Sequence, residues 1–218
     1  DRIGIIDGKG RQVPGDLLTA FLAKDVAARH PGAPILLDVK SSEAALRLVE
    51  SAGAAAQIWK TGHSHMKKRM KELEAPLAGE MSGHIFIADD YLGFDDAIYA
   101  AVRVITQMVK GGQSITEFMD SLPEQHATPE LRIDCPDTVK FDSMEKIRAH
   151  VLSGHDAADV NSIDGVRVRS GDGWWLIRAS NTEAALVARA EAADRTALDR
   201  LLSDIETCLL YTSDAADD

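Results

Sequence analysis

From Val13 to about Leu122, short apolar runs alternate with apolar stripes at helical spacing, and this alternation constrains the fold more than any other feature of the chain. Ile35-Leu36-Leu37-Asp38-Val39 is too short for a helix and apolar on both faces, as a strand buried in a parallel sheet must be. Gln57-Ile58-Trp59-Lys60 and His84-Ile85-Phe86-Ile87-Ala88 are further strands. Leu17, Leu18, Phe21, Leu22 and Val26 form a helical stripe, with Asp16 as its predicted N-cap and Pro31-Gly32 as its stop. Ser41 or Ser42 caps a second helix that runs through Glu50 and closes at Gly53. A basic helix is predicted from His65 to Glu74. Asp95 or Asp96 opens a last helix, on which Ile98, Ala101, Val102, Ile105, Met108 and Val109 recur before Gly111-Gly112. Strands alternating with helices in this way predict an α/β/α domain over 13–122, built on a mixed, mostly parallel sheet.

After Pro123 the period changes from helical to two. Leu131–Asp134, Val166–Arg169, Trp174–Arg178 and Leu186–Arg189 read as strands, with Gly171-Asp172-Gly173 as a hairpin turn. Helices are predicted near Met144–Leu152 and Arg195–Glu206. Residues 123–208 therefore read as a smaller α+β domain with an antiparallel sheet, and the proline-bearing stretch 123–136 as its linker region. Residues 1–12 read as a strand pair turning at Asp7-Gly8-Lys9-Gly10, and since a domain rarely begins at the start of its own strand pair, upstream sequence is expected. The final stretch 209–218 reads as a non-native tail.

Composition removes several functional classes. The 24 basic and 35 acidic residues leave a net charge of -11, which argues against a nucleic-acid partner. No apolar run approaches the roughly 18 residues a membrane span needs. Two cysteines, Cys135 and Cys208, are too few for a disulfide framework, and a cytoplasmic location is expected.

Four segments have the residue types that chemistry needs. Thr61-Gly62-His63-Ser64 opens the basic helix, where free amides and an imidazole suit anions and proton transfer; a solvated basic surface fits equally well. Gly79-Glu80-Met81-Ser82-Gly83-His84 packs a carboxylate, a hydroxyl and an imidazole between glycines, suited to sugar hydroxyls or to a plain turn. Arg178-Ala179-Ser180-Asn181-Thr182-Glu183 offers a guanidinium fork and a hydroxyl-rich turn to an anion, or simply a capped turn between strands. Lys40 lies just past a strand end, where open α/β sheets bind ligands, though a surface lysine is the plainer reading.

Taken in order and with their spacing, these segments resemble the α-D-phosphohexomutase superfamily, in its bacterial phosphomannomutase/phosphoglucomutase branch, over about residues 1–208. Asp1-Arg2 is similar to the end of the family's metal loop. Met81 favours the mannose/glucose branch over phosphoglucosamine mutases, the nearest alternative; a non-catalytic sugar-phosphate-binding module is the other. The resemblance implies the end of domain 2 (1–12), domain 3 (13–122) and domain 4 (123–208), the last with a TATA-binding-protein-like sheet. It implies an intramolecular phosphotransferase of the isomerase class. Such an enzyme interconverts hexose 1- and 6-phosphates of mannose or glucose through a phosphoserine and a 1,6-bisphosphate. Arg2, Lys40, His63 and His84 are implied as catalytic; Glu80, Ser82, Arg178, Ser180, Asn181 and Thr182 as substrate-binding; and Asp1 as a Mg²⁺ ligand in an incomplete site. The phosphoserine domain lies outside these residues, so the chain alone is expected to be inactive and the full-length enzyme a monomer. Ala184 stands where the family usually has proline, which implies a looser loop.

Overall fold

The computed structural model describes residues 1–213. Contacts divide the chain into two units, 1–123 and 124–218. The first opens with a hairpin of β1 (Ile5–Ile6) and β2 (Gln12–Val13), paired antiparallel. Asp7 closes its turn. The carboxylate accepts from the Lys9 and Arg11 amides at 2.9 and 2.8 Å and from Arg11 Nε at 2.7 Å.

Then follow α1 (Gly15–Arg29), β3 (Pro34–Asp38), α2 (Glu43–Ser51), β4 (Ala55–Trp59), α3 (His63–Leu73), β5 (Leu77–Gly79), β6 (Ile85–Ile87), α4 (Ala97–Gly111) and α5 (Ile115–Asp120). The sheet order is β4-β3-β5-β6. The first three strands are parallel and β6 is antiparallel to β5, so the sheet is mixed and mostly parallel. Strand alternation sends Ile35 and Leu37 to one face, where α1 supplies Leu18, Phe21 and Leu22 and α4 supplies Val104. Leu36, Ala78 and Phe86 point the other way, onto Met66 and Met70 of α3. Both faces are covered, which is why β3 is apolar at consecutive positions.

Several local expectations are corrected. Pro14, not Asp16, occupies the N-cap of α1; Asp16 is buried in the first turn, and its Oδ2 accepts from the Ser42 amide at 2.7 Å. Ser42 caps α2 by accepting from the Ala45 amide, and Asp96 caps α4 through the amides of Ile98 and Tyr99. Helix α3 starts at His63, two residues earlier than its charge pattern indicates, because Gly62 adopts φ 121° and turns the chain into it. Strand β5 and helix α5 are additional. The first is three residues long, and its Gly79 admits the close approach of α1, since a Cβ there would lie 1.7 Å from Thr19 Oγ1. The second is short but starts with a complete capping box between Ser114 and Glu117.

The second unit contains β7 (His126–Ala127), β8 (Leu131–Asp134), α6 (Lys140–Gly154), a single 3-10 turn, β9 (Val160–Asn161), β10 (Val166–Ser170), β11 (Gly173–Ala179), β12 (Ala185–Ala192) and α7 (Arg195–Ser213). All its pairings are antiparallel, in the order β7-β12-β11-β10-β9, with β8 also pairing β12. Trp175, Ile177, Val166, Val168 and Ala188 pack against Ile147 and Val151 of α6 and Leu198, Leu201 and Ile205 of α7. Helix α7 runs seven residues beyond Glu206. Leu209 joins the edge of this core and the Tyr211 ring stacks on His150, with centroids 4.5 Å apart. Residues 214–218, the rest of the stretch read as a tail, lie outside the described residues. No described helix is long and apolar enough to cross a membrane.

Candidate functional site

Because β3, β4 and β5 are parallel and adjacent, their C-terminal ends deliver three loops to one edge of the sheet. The loop after β3 carries Lys40, the loop after β4 leads to His63, and the loop after β5 carries Glu80, Ser82 and His84. Asp38, the last residue of β3, is fully buried beneath them. Its Oδ1 accepts from Ser41 Oγ at 2.8 Å and from the Met81 amide at 3.1 Å; its Oδ2 accepts from Thr61 Oγ1 at 3.2 Å. Lys40 Nζ lies 3.9 Å from Oδ2, and the lysine is itself buried.

Glu80 is 3% exposed. Its Oε1 accepts from the Gly62 amide at 3.1 Å and its Oε2 from Ser82 Oγ at 3.3 Å. Loss of hydration pushes the Glu80 carboxyl above its ordinary range, and the nearby Asp38 charge pushes the same way. Burial raises Asp38 as well, against the pull of Lys40 and Ser41.

His84 is held from both sides. Its Nδ1 lies 2.8 Å from Asp95 Oδ2, and its Nε2 accepts from Arg2 Nε at 2.9 Å. This fixes the tautomer with the proton on Nδ1. Asp95 lies below the ordinary carboxylate range despite partial burial, because its own backbone amide, His84 and Lys67 all stabilise its charge. Arg2 pairs with His84 through the backbone too. The His63 ring is exposed, 6.2 Å from that of His84 between centroids. Arg2, Lys40, His63, Glu80, Ser82 and His84 therefore share one sheet edge. Asp38 and Asp95, to which sequence reasoning gave no place in the site, tie parts of it together: Asp38 accepts from Thr61 and the Met81 amide, and Asp95 pairs with His84. Their signal in the sequence was weak: Asp38 stands at the end of an apolar run, and Asp95 precedes a helix cap.

Asp1, His84 and Asp95 bring ligand atoms within 4.8 Å of one another. They do not by themselves fit Mg²⁺. That ion takes six oxygen ligands in near-octahedral geometry, whereas this set has two carboxylates and an imidazole whose nitrogens already face Asp95 and the Arg2 guanidinium. Asp1 alone of the three carries an exposed carboxylate.

In the second unit, the end of β11 carries Arg178, and the turn between β11 and β12 carries Ser180, Asn181 and Thr182. Arg178 is buried and forks onto Asp164, Nε to Oδ2 at 3.1 Å and one terminal nitrogen to Oδ1 at 3.3 Å. Ser180 Oγ accepts from the amides of Thr182 and Glu183 at 3.3 and 3.1 Å, which curls the turn. Asn181 and Thr182 are exposed at its tip. Lys140 Nζ donates to the carbonyls of Ser180 and Glu183 at 2.9 and 3.0 Å and fixes the base of the turn from α6. The Ala184 carbonyl accepts from the Cys135 amide at 3.0 Å. A cavity of about 250 Å³ next to the turn is lined by Asn181, Ala179, Asp164 and the start of α6. Sequence reasoning missed Asp164 and Lys140; neither belongs to the motif, and both reach it only through tertiary packing.

A family model described as phosphoglucomutase/phosphomannomutase, alpha/beta/alpha domain III, matches residues 14–126, and one described as the C-terminal domain of the same family matches 130–207. A phosphomannomutase/phosphoglucomutase of Pseudomonas putida is 42% identical over 210 residues, 96% of this chain and 45% of that protein. A phosphoglucomutase of Neisseria gonorrhoeae is 37% identical over 92% of this chain and 44% of its own length. The chain thus spans less than half the length of these curated relatives. Among solved structures, a phosphoglucomutase/phosphomannomutase family protein from Burkholderia thailandensis superposes with a TM-score of 0.87 at 35% identity, over 97% of this chain and 44% of that one. An Aspergillus fumigatus N-acetylphosphoglucosamine mutase, solved with GlcNAc-6P and magnesium, has the same fold at 15% identity and a TM-score of 0.65, over 94% of this chain and 46% of its own.

Proposed function

Since this chain belongs to the phosphoglucomutase/phosphomannomutase family, we propose that it supplies the sugar-recognition and phosphate-binding half of a hexose-phosphate mutase. The substrates are glucose and mannose 1- and 6-phosphates. The phosphoryl group comes from a phosphoserine carried outside these 218 residues, and a 1,6-bisphosphate turns over between the two transfers. The observation that supports this reading best is the single sheet edge where Glu80 and Ser82 stand beside Lys40, His63, His84 and Arg2.

The residue chemistry fits the task. Phosphoryl transfer depends chiefly on positioning and on neutralising charge. Glu80 and Ser82 form one acceptor-and-hydroxyl unit suited to two adjacent sugar hydroxyls. A grip on the 3- and 4-hydroxyls leaves C2 unread, so glucose and mannose are both accepted. Lys40 and Arg2 supply positive charge to a phosphate. His84 Nε2, an acceptor in this tautomer, takes a proton from a sugar hydroxyl once Arg2 turns to phosphate. In the second unit, the Ser180 and Thr182 hydroxyls and the Asn181 amide receive the non-reacting phosphate, while the Thr182 backbone amide stays on Ser180 Oγ. Arg178 contributes its fork while Asp164 fixes its plane. Mg²⁺ belongs to this chemistry by family resemblance, but the residues here do not complete its site, and no step above uses it.

Titration of the chain with glucose 1-phosphate and with mannose 1-phosphate, followed by amide NMR, tests the reading. Saturable shifts at residues 60–63, 80–84 and 180–183 are expected for both sugars. Arg178→Ala should weaken binding about tenfold or more, the loss of a charge-assisted fork. No saturable shift in the folded chain overturns the proposal.

A further inference from the structure

The three loops that carry the site residues of the first unit start from different strands and share no long stretch of backbone pairing. Something must set their mutual placement, because a polyhydroxylated ligand is read to within about half an ångström. One carboxylate touches all three. Asp38 is 0% exposed at the end of β3. It accepts from Ser41 in its own loop, from Thr61 in the loop that leads to His63, and from the Met81 amide between Glu80 and Ser82. Lys40 Nζ stands 3.9 Å away. A second tie runs in parallel, from the Gly62 amide to Glu80 Oε1.

We propose that Asp38 is a positioning residue that clamps the Lys40, Thr61-Gly62-His63 and Glu80-Met81-Ser82 loops into one binding surface. It reaches no ligand itself, since it is fully buried beneath them. Its worth lies in the acceptor pair. Oδ1 and Oδ2 together take three donors from three loops, which an amide cannot do, because one of its two heads donates. The raised ionisation range of Asp38 and Glu80 agrees with two carboxyls packed close together under loops that exclude water. This inference rests on the sugar-phosphate reading only for what the surface binds.

The test uses the 218-residue chain with Asp38→Asn, Thr61→Val and the double variant. Two readouts separate the clamp from mere support of the fold. The first needs no ligand. Amide exchange at Gly62 should speed up at least fivefold in Asp38→Asn and in Thr61→Val, and the His63 amide should shift, while the β3 and β5 ladder amides of Ile35, Leu37 and Leu77 keep their protection. The second is glucose 1-phosphate affinity. Asp38→Asn should weaken it about tenfold and Thr61→Val about threefold. The double variant should be no weaker than Asp38→Asn, because both act through one clamp. Unchanged Gly62 exchange in both folded variants, or losses that multiply in the double variant, overturns the inference. If Asp38→Asn fails to fold, Thr61→Val, which spares the core, decides by the same Gly62 and His63 signals. If the unaltered chain binds no sugar phosphate, the functional proposal falls, and the exchange measurement still decides the clamp.

Discussion

Asp89 shows how single residues set stability here. Its carboxylate is buried and takes Arg103 at 2.7 Å, His30 at 2.8 Å and Arg29. Burial opposes its charge, but these partners hold it below the ordinary carboxylate range. A carboxylate lowered in the folded state contributes stability that is present above its unfolded value, about 3.9, and is lost as pH falls through the folded one. Asp89→Asn should therefore cost roughly 3 kcal/mol at pH 7, and less at pH 3, below the unfolded value. Urea unfolding at the two pH values measures this; an equal cost at both would show that the charge is not what Asp89 contributes. Gly83 is the other telling residue. It sits at φ 93°, and a Cβ there would lie 2.5 Å from the Ile3 carbonyl oxygen, which accepts no such contact without moving the loop. Gly83→Ala should shift Ser82 and His84 amides and weaken sugar-phosphate binding several-fold, at a stability cost of about 1 to 3 kcal/mol. At this scale the segments that contain Glu80, Ser82, His84 and Arg178 stand out in the sequence as candidates because their residues are contiguous. Their partners Asp38, Asp95, Asp164 and Lys140 do not, because each meets its motif across folded space.

Among elements, the longer helices announced themselves through their apolar stripes, and helix α5 and strand β5 did not. Helix α5 has six residues and depends on its capping box: the Glu117 amide donates to Ser114 Oγ, and Glu117 Oε2 accepts from the Ser114 amide. Ser114→Ala should cost about 1 kcal/mol, and thermal unfolding monitored on the first unit reads it; no change would mean that Ile115 and Phe118 packing alone holds α5 in place. Helix α4 buries Ala100 and Val104 but exposes Ile98, Val102, Ile105 and Val109. Of the apolar residues that recur along it in the sequence, Met108 packs against the core while these four stay exposed. Ile105→Lys should thus change stability by no more than about 0.5 kcal/mol, and chemical denaturation checks it. Strand β5 escaped notice because Leu77-Ala78-Gly79 has neither length nor alternation. It is a strand because β3 and β6 flank it and pair with it.

At the scale of the molecule, two units with separate cores follow one another, one layered around a mixed sheet and one with helices against an antiparallel sheet. Phe21 stacks edge-on against Phe118 at 5.1 Å in the first core, and Leu201 is fully buried in the second. Phe21→Ala should cost about 3 to 5 kcal/mol and Leu201→Ala about 2 to 5. Amide exchange locates each loss: in β3 and β5 for the first, and in β11 and β12 for the second. Loss of protection in neither sheet would show that these side chains do not anchor their cores. The change of period near Pro123, the buried run Ile35–Leu37 and the turn at Gly171–Gly173 were enough to specify both architectures, because hydrophobic periodicity records which faces are covered. The order of the strands, the antiparallel turn of β6, the placement of Asp38 beneath three loops and the fork of Arg178 onto Asp164 were decided only on folding. These are contacts between residues distant in the chain, and a linear pattern contains no distance between its parts.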